Sequence, residues 1–173
     1  KHVFPNFGLR KGGASKSRIQ TTSGGMSVFV GRGGSITGRG GDFVILDDPI
    51  KDSLEANSPT LREQLWQWFT QVLMTRLMTA SASIVIVQTR WHEDDLSGRI
   101  LPDSWDGKSG FVTTDDGEEW YVLCIAAEAV EDDILSRKPG EWLWPEWFGD
   151  DFWVRTKSRL VNQGKAKQWY SLY

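Results

Sequence analysis

Two short stretches decide the fold class: Phe43-Val44-Ile45-Leu46-Asp47-Asp48-Pro49 and Ile84-Val85-Ile86-Val87-Gln88-Thr89-Arg90. Each opens with four apolar residues and ends abruptly in polar groups. A short continuous apolar run predicts a strand buried on both faces, and β-branched residues suit one. Between the two lies the clearest helix signal. Ser58 is a good N-cap and Pro59 fits the first helical position. Leu61, Leu65, Trp68, Phe69, Val72 and Arg76 then follow at helical spacing, a stripe suited to packing on a sheet. Strand, long helix, strand is the βαβ unit, whose crossover joins parallel strands with a right-handed turn in nearly all cases. The expected class is α/β with a mainly parallel sheet, to which residues 121–126 are read as a third strand.

Outward from this unit the chain changes character. Eleven of the eighteen glycines fall in residues 1–41, in doublets that punctuate short extended pieces. Residues 18–22 and 26–31 read as an antiparallel hairpin closed by Ser23-Gly24-Gly25. Residues 128–152 are acidic, with Pro139 and Pro145 among Trp142, Trp144 and Trp147, and predict an irregular layer with short helices. Residues 152–161 read as a helix. The organisation expected is a core over residues 1–127 and an acidic Trp/Pro-rich segment over 128–173.

Composition narrows the classes. A length of 173 residues suits one domain of roughly 100–200 residues, or a large piece of one. With 39% apolar residues the chain is not of the disordered type. A single cysteine, Cys124, excludes an internal disulfide framework and a Cys-based zinc site. No apolar run approaches the ~20 residues of a membrane span, and no signal peptide is visible. The chain opens on Lys1 without methionine, so a fragment is expected. The net charge of −3 hides a gradient. Residues 1–41 hold seven basic residues and no acid, residues 102–152 fourteen acids against three bases, and residues 153–173 five bases and no acid. A local basic surface can therefore still meet phosphates.

In an open parallel sheet, ligands sit beyond the carboxyl ends of the strands. There the first strand delivers Asp47 and Asp48, in a pattern that resembles the Walker B element of P-loop NTPases. One carboxylate at such a tip can hold Mg²⁺ bridging the β- and γ-phosphates, and a second can orient or deprotonate the attacking water. The second strand delivers Gln88 and Thr89, groups able to sense a γ-phosphate or hold that water. Asp94 and Asp95 read as acids at a helix N-terminus, and His92 as a hydrogen-bonding group without metal partners. Gly33 to Gly38 has the spacing of a phosphate loop. Arg39 stands in place of its lysine, however, Gly40 in place of its Ser/Thr, and a strand follows where a helix is needed. Gly12-Gly13-Ala14-Ser15-Lys16-Ser17 is too short and lacks the glycine before lysine. No Walker A element is read in this sequence.

Several blocks in order are similar to the large terminase subunit of tailed bacteriophages and prophages. They are Gly34-Ser35-Ile36-Thr37-Gly38-Arg39-Gly40-Gly41-Asp42, the Phe43 to Lys51 stretch, Ala56-Asn57-Ser58, Trp68-Phe69, Thr75-Arg76-Leu77 and Gln88-Thr89-Arg90-Trp91-His92-Glu93-Asp94-Asp95-Leu96-Ser97-Gly98-Arg99. The resemblance spans about residues 31–100, with weaker echoes at 126–128, 140–146 and 169–173. It implies an additional-strand P-loop NTPase that drives double-stranded DNA into a procapsid. It further implies that the chain corresponds to the second half of the ATPase domain, hence an incomplete NTPase fold without Walker A or nuclease domain. The resemblance gives Asp47 the magnesium role and puts Asp48 where many members carry a catalytic glutamate. Aspartate is one methylene shorter, and Glu93 is the substitute. Gln88, Thr89 and Arg90 resemble the motif that couples hydrolysis to movement. Arg39, then Arg32, is the candidate to reach a neighbouring subunit's nucleotide. ATP and Mg²⁺ are the implied cofactors. Double-stranded DNA, a portal protein, a small terminase subunit and further copies in a ring are the implied partners, in the host cytoplasm at the procapsid portal. The isolated chain is expected to hydrolyse ATP poorly. Trp66 falls off the apolar stripe and is read as an interface candidate. Two alternatives stand beside this reading. One is a metal-dependent nuclease using Asp47, Asp48 and a further acid. The other is a non-catalytic DNA-binding or assembly module of a prophage remnant.

Overall fold

Residues 5–31, 34, 36 and 38–173 are described by the computed structural model, and among them three small sheets form. The first is antiparallel, β1 (Leu9–Ala14), β2 (Arg18–Thr21) and β3 (Met26–Val28), in that order. The predicted hairpin is its β2–β3 pair, with both strands shorter than expected. β1 is irregular against β2 between Leu9 and Ala14. The Gly12-Gly13 doublet explains why: Gly12 sits at φ +70°, and a Cβ on Gly13 would lie 2.9 Å from Arg10.

The second sheet is the βαβ unit. β4 (Phe43–Asp47) runs into α1 (Ser53–Ala56) and α2 (Pro59–Trp68), and the chain returns in β5 (Ser83–Val87). β4 and β5 pair in parallel from Phe43 opposite Ser83 to Asp47 opposite Val87. Ser58 caps α2 by accepting from the Leu61 N–H, with Pro59 at the first position, as the sequence predicts. Val44, Leu46, Ile84 and Ile86 pack with Leu65, Phe69, Leu73, Ile50, Ala56 and Leu96 into the main core. Burying each large apolar side chain here is worth about 1.5–3 kcal/mol.

Three expectations are corrected. The sheet is not mainly parallel, because β4–β5 is the one parallel strand pair among the described residues. Neither strand is buried on both faces, since Phe43, Ile45 and Val87 are 59%, 60% and 52% exposed. Residues 121–126 do not extend this sheet. β6 (Gly110–Thr113) and β7 (Glu119–Val122) form a separate antiparallel hairpin. Its cause is local: Asp116-Gly117 is a strong tight-turn pair, with Gly117 at φ +87°. Trp66, off the predicted stripe, is half-buried. It packs on the main core and stacks on Phe69 at 6.1 Å.

α3 (Leu96–Ile100) follows β5, and α4 (Asp150–Asn162) and α5 (Ala166–Leu172) close the chain. A second core gathers Ala127, Trp153 and Trp169 with Trp142, Leu143, Phe148 and Leu160. It pins the irregular acidic stretch to α4, through the Trp153 indole N–H donated to the Leu143 carbonyl at 3.0 Å. The predicted helix over 152–161 lies within α4. Among the described residues no helix is long and apolar enough to cross a membrane.

Candidate functional site

Parallel pairing has a direct consequence for the two polar strand ends. With Asp47 opposite Val87, and the Asp48 N–H donated to the Val87 carbonyl at 2.9 Å, both strands finish at the same rim. Asp47 and Asp48 therefore stand beside Gln88 and Thr89. Both acids are exposed, and neither carboxylate has a hydrogen-bond or ion-pair partner among the described residues. Asp48 adopts φ +41°, the left-handed region, directly before Pro49. A non-glycine residue there is uncommon, and proline further narrows its neighbour's backbone, so the turn is strained. The loop is anchored just beyond. Asp52 accepts from the Glu55 N–H at 2.9 Å, Glu55 accepts from the Lys51 N–H at 3.0 Å, and Pro49 and Ile50 are buried.

Across the rim, the segment after β5 is locked by polar contacts. The Gln88 side-chain amide donates to the Ser97 hydroxyl at 2.8 Å. Arg90 donates from Nε to the buried Asp95 carboxylate at 2.8 Å, and its guanidinium lies 6.0 Å from the Trp105 ring. Asp95 caps α3 by accepting from the Gly98 N–H at 2.9 Å. The His92 Nδ1 accepts from the Asp94 N–H at 3.0 Å, the hydrogen-bonding role expected of it. Asp94 bridges to α2: it accepts from Arg62 at 2.9 Å and from Arg99 at 2.7 Å, while Arg99 also donates to Glu63 at 2.7 Å. The Arg99 guanidinium first, and Arg62 after it, lower the Asp94 carboxyl from 3.8 to about 2. Arg99 likewise lowers the Glu63 carboxyl and is itself raised by both acids.

Among the residues picked from sequence, Asp47, Asp48, Gln88 and Thr89 lie at one end of the β4–β5 pair. Gln88 and Arg90 spend their side chains on holding α3. Thr89 is half-buried, and its hydroxyl has no partner among the described residues. Glu93 is exposed on the same loop, with no hydrogen bond or ion pair to the acid pair. Arg39 precedes β4 and thus lies towards the opposite end of that strand, exposed, with its N–H donated to the Ile36 carbonyl. Arg32 lies outside the described residues. Sequence reasoning missed the Arg62–Asp94–Arg99–Glu63 network. The available signal was two arginines, on predicted helical segments, with acids spaced to face them.

Two exposed carboxylates without internal partners fit Mg²⁺, which takes one or two carboxylates and leaves its other positions to water and phosphate oxygens. Among the described residues no group of three or more His, Cys, Asp or Glu side chains is placed to hold a metal ion. No family model, curated protein or solved structure gives a significant match to this chain.

Proposed function

We propose that this chain supplies the magnesium- and water-handling part of an ATPase that drives double-stranded DNA into a viral procapsid. The supporting observation is the β4–β5 register, which brings an acid pair without partners among the described residues, and Thr89, to one rim. In this reading Asp47 holds Mg²⁺, and Asp48 orients the attacking water and accepts its proton. When bound, the ion neutralises charge on the β- and γ-phosphate oxygens. The Thr89 hydroxyl is the free sensor. Gln88 and Arg90 act as couplers: through Ser97 and Asp95 they tie the rim to α3, and Asp94 ties α3 to α2. Arg39, towards the other end of β4, acts on the nucleotide of a neighbouring copy, where a guanidinium offsets phosphoryl charge. The reading requires a phosphate-binding loop that this sequence does not carry, and it carries with it the portal, the small subunit and a procapsid-bound ring in the host cytoplasm.

A two-metal nuclease is less well supported, because it needs further carboxylates grouped with the pair. The test uses the protein that combines this chain with a phosphate-binding loop. Asp47→Ala is expected to lower DNA-stimulated ATP turnover about 100-fold or more, with unchanged folding because the side chain is exposed. Arg39→Ala should lose turnover only in assembled rings and regain it when wild-type neighbours are mixed in. This chain alone should show background turnover. ATP hydrolysis by it that Asp48→Asn abolishes, or Mg²⁺-dependent DNA cleavage that Asp47→Ala abolishes, would defeat the proposal.

A further inference from the structure

The second core carries a groove that the ATPase reading does not use, and whose chemistry is independent of that reading. Residues 135–150 border an open cavity of about 600 Å³, within the size range of ligand sites. Trp142 and Trp144 supply aromatic surface, and Glu141, Glu146 and Asp150 supply carboxylates. Trp144 is 60% exposed, adopts φ +49°, and has no ring partner among the described residues. A bulky residue rarely adopts that backbone, so the fold holds an indole in solvent against its local preference.

The charge of the groove is one-sided. Arg137 is its one basic lining residue, and that guanidinium is already committed. It pairs with Asp133 at 2.8 Å and donates to the Ala126 and Ala127 carbonyls. Glu141 accepts from the Lys138 N–H at 2.9 Å. Glu146 and Asp150 have no hydrogen-bond or ion-pair partner among the described residues. An exposed indole beside unneutralised carboxylates is the chemistry that recognises an organic cation. The chain itself shows the pairing nearby. Lys157 forms an ion pair with Glu128, and its Nζ lies 6.0 Å from the Trp142 ring and 5.7 Å from the Trp169 ring.

We propose that this groove docks a lysine- or arginine-bearing segment of a partner protein, seated against Trp144 and neutralised by Glu146 and Asp150. Charge complementarity selects that occupant over an acidic peptide or a nucleic acid, whose phosphates the three carboxylates repel. The test is fluorescence polarisation of a labelled alternating Arg-Gly peptide against the full chain, with a Glu-Gly peptide as counterpart. Saturable binding of the basic peptide is expected, weakening with added salt. The double variant Glu146→Gln/Asp150→Asn and the single variant Trp144→Ala should each weaken it about tenfold. The double variant changes exposed groups only, so it keeps the test valid if Trp144→Ala misfolds. Equal binding by the double variant, or equal binding of the Glu-Gly peptide, would overturn the proposal. Self-association in sedimentation velocity that the double variant abolishes would also overturn it, because the occupant would then be a second copy.

Discussion

Gly98 shows how tightly single residues constrain the segment after β5. A Cβ placed on it would sit 1.8 Å from the Glu93 carbonyl oxygen and 2.9 Å from the carbonyl carbon. Backbone cannot yield there without breaking the Asp95 cap and the Arg90 contacts around it. Gly98→Ala should therefore destabilise the chain by about 3 kcal/mol or more. Gly149→Ala, with open space around the added methyl group, should stay within about 0.5 kcal/mol. Denaturant midpoints compare the two, and equal shifts would show that the loop has room for the extra carbon. Asp94 makes the fold sensitive to acid. Its folded carboxyl is lowered to about 2 from 3.8, so the stability it contributes is fully present above the unfolded value and is lost as pH falls through about 2. The side chain is 43% exposed and solvent screens it, which holds the contribution to about 1 kcal/mol. Wild type and Asp94→Asn should thus differ in stability at pH 6 and converge as pH falls from 4 towards 2. A difference that persists at pH 2 would mean that the arginines, not the charge of Asp94, dominate.

At the scale of elements, α2 shows both the reach of a sequence pattern and its limit. The helix, its Ser58 cap and its Pro59 start are local effects, and local effects are written in local residues. The stripe Leu61, Leu65, Trp68, Phe69, Val72 assumes a constant 3.6-residue turn. The chain instead passes through a π-helical turn at Phe69–Leu73 and a 3₁₀ turn at Met74–Arg76. The wider turn advances the buried face, so Leu73 is 3% exposed while Val72 is half-buried. Leu73→Ala should cost about 2–5 kcal/mol and Val72→Ala clearly less, read from thermal or urea unfolding. The reverse ranking would restore the regular helix. The same distinction governs the rim. Asp47, Asp48, Gln88 and Thr89 are legible in the sequence because polar groups that end apolar runs must emerge where the strands emerge. The commitment of Arg90 to Asp95, and of Arg62 to Asp94, is not legible. Adjacent aspartates look alike in sequence, and a long-range partner 32 residues away leaves no periodic trace. The β6–β7 hairpin escapes the pattern for another reason: an apolar run shows that a strand forms, not which neighbour it joins.

For the molecule as a whole, the open side of the β4–β5 sheet is the feature most at odds with ordinary parallel architecture. Parallel sheets are normally covered on both faces, yet Phe43, Ile45, Val85 and Val87 remain exposed on the side away from α2. A contiguous apolar patch of this kind marks an interaction surface or an aggregation liability. The native chain should therefore bind a hydrophobic reporter dye at neutral pH and lose solubility as concentration rises. Replacing Ile45 and Val87 together by threonine keeps β-branched side chains in the strands while removing apolar surface from water. Because both positions lie off the core face, the double variant should change unfolding stability by less than about 1 kcal/mol, yet lower dye fluorescence and raise the soluble limit. The two readouts separate the explanations. If stability falls by several kcal/mol instead, the two side chains are packed in solution and the face is covered. If stability holds and the dye signal does not change, the reporter binds elsewhere, and the apolar residues exposed on β6–β7, Phe111 and Tyr121, become the next positions to substitute.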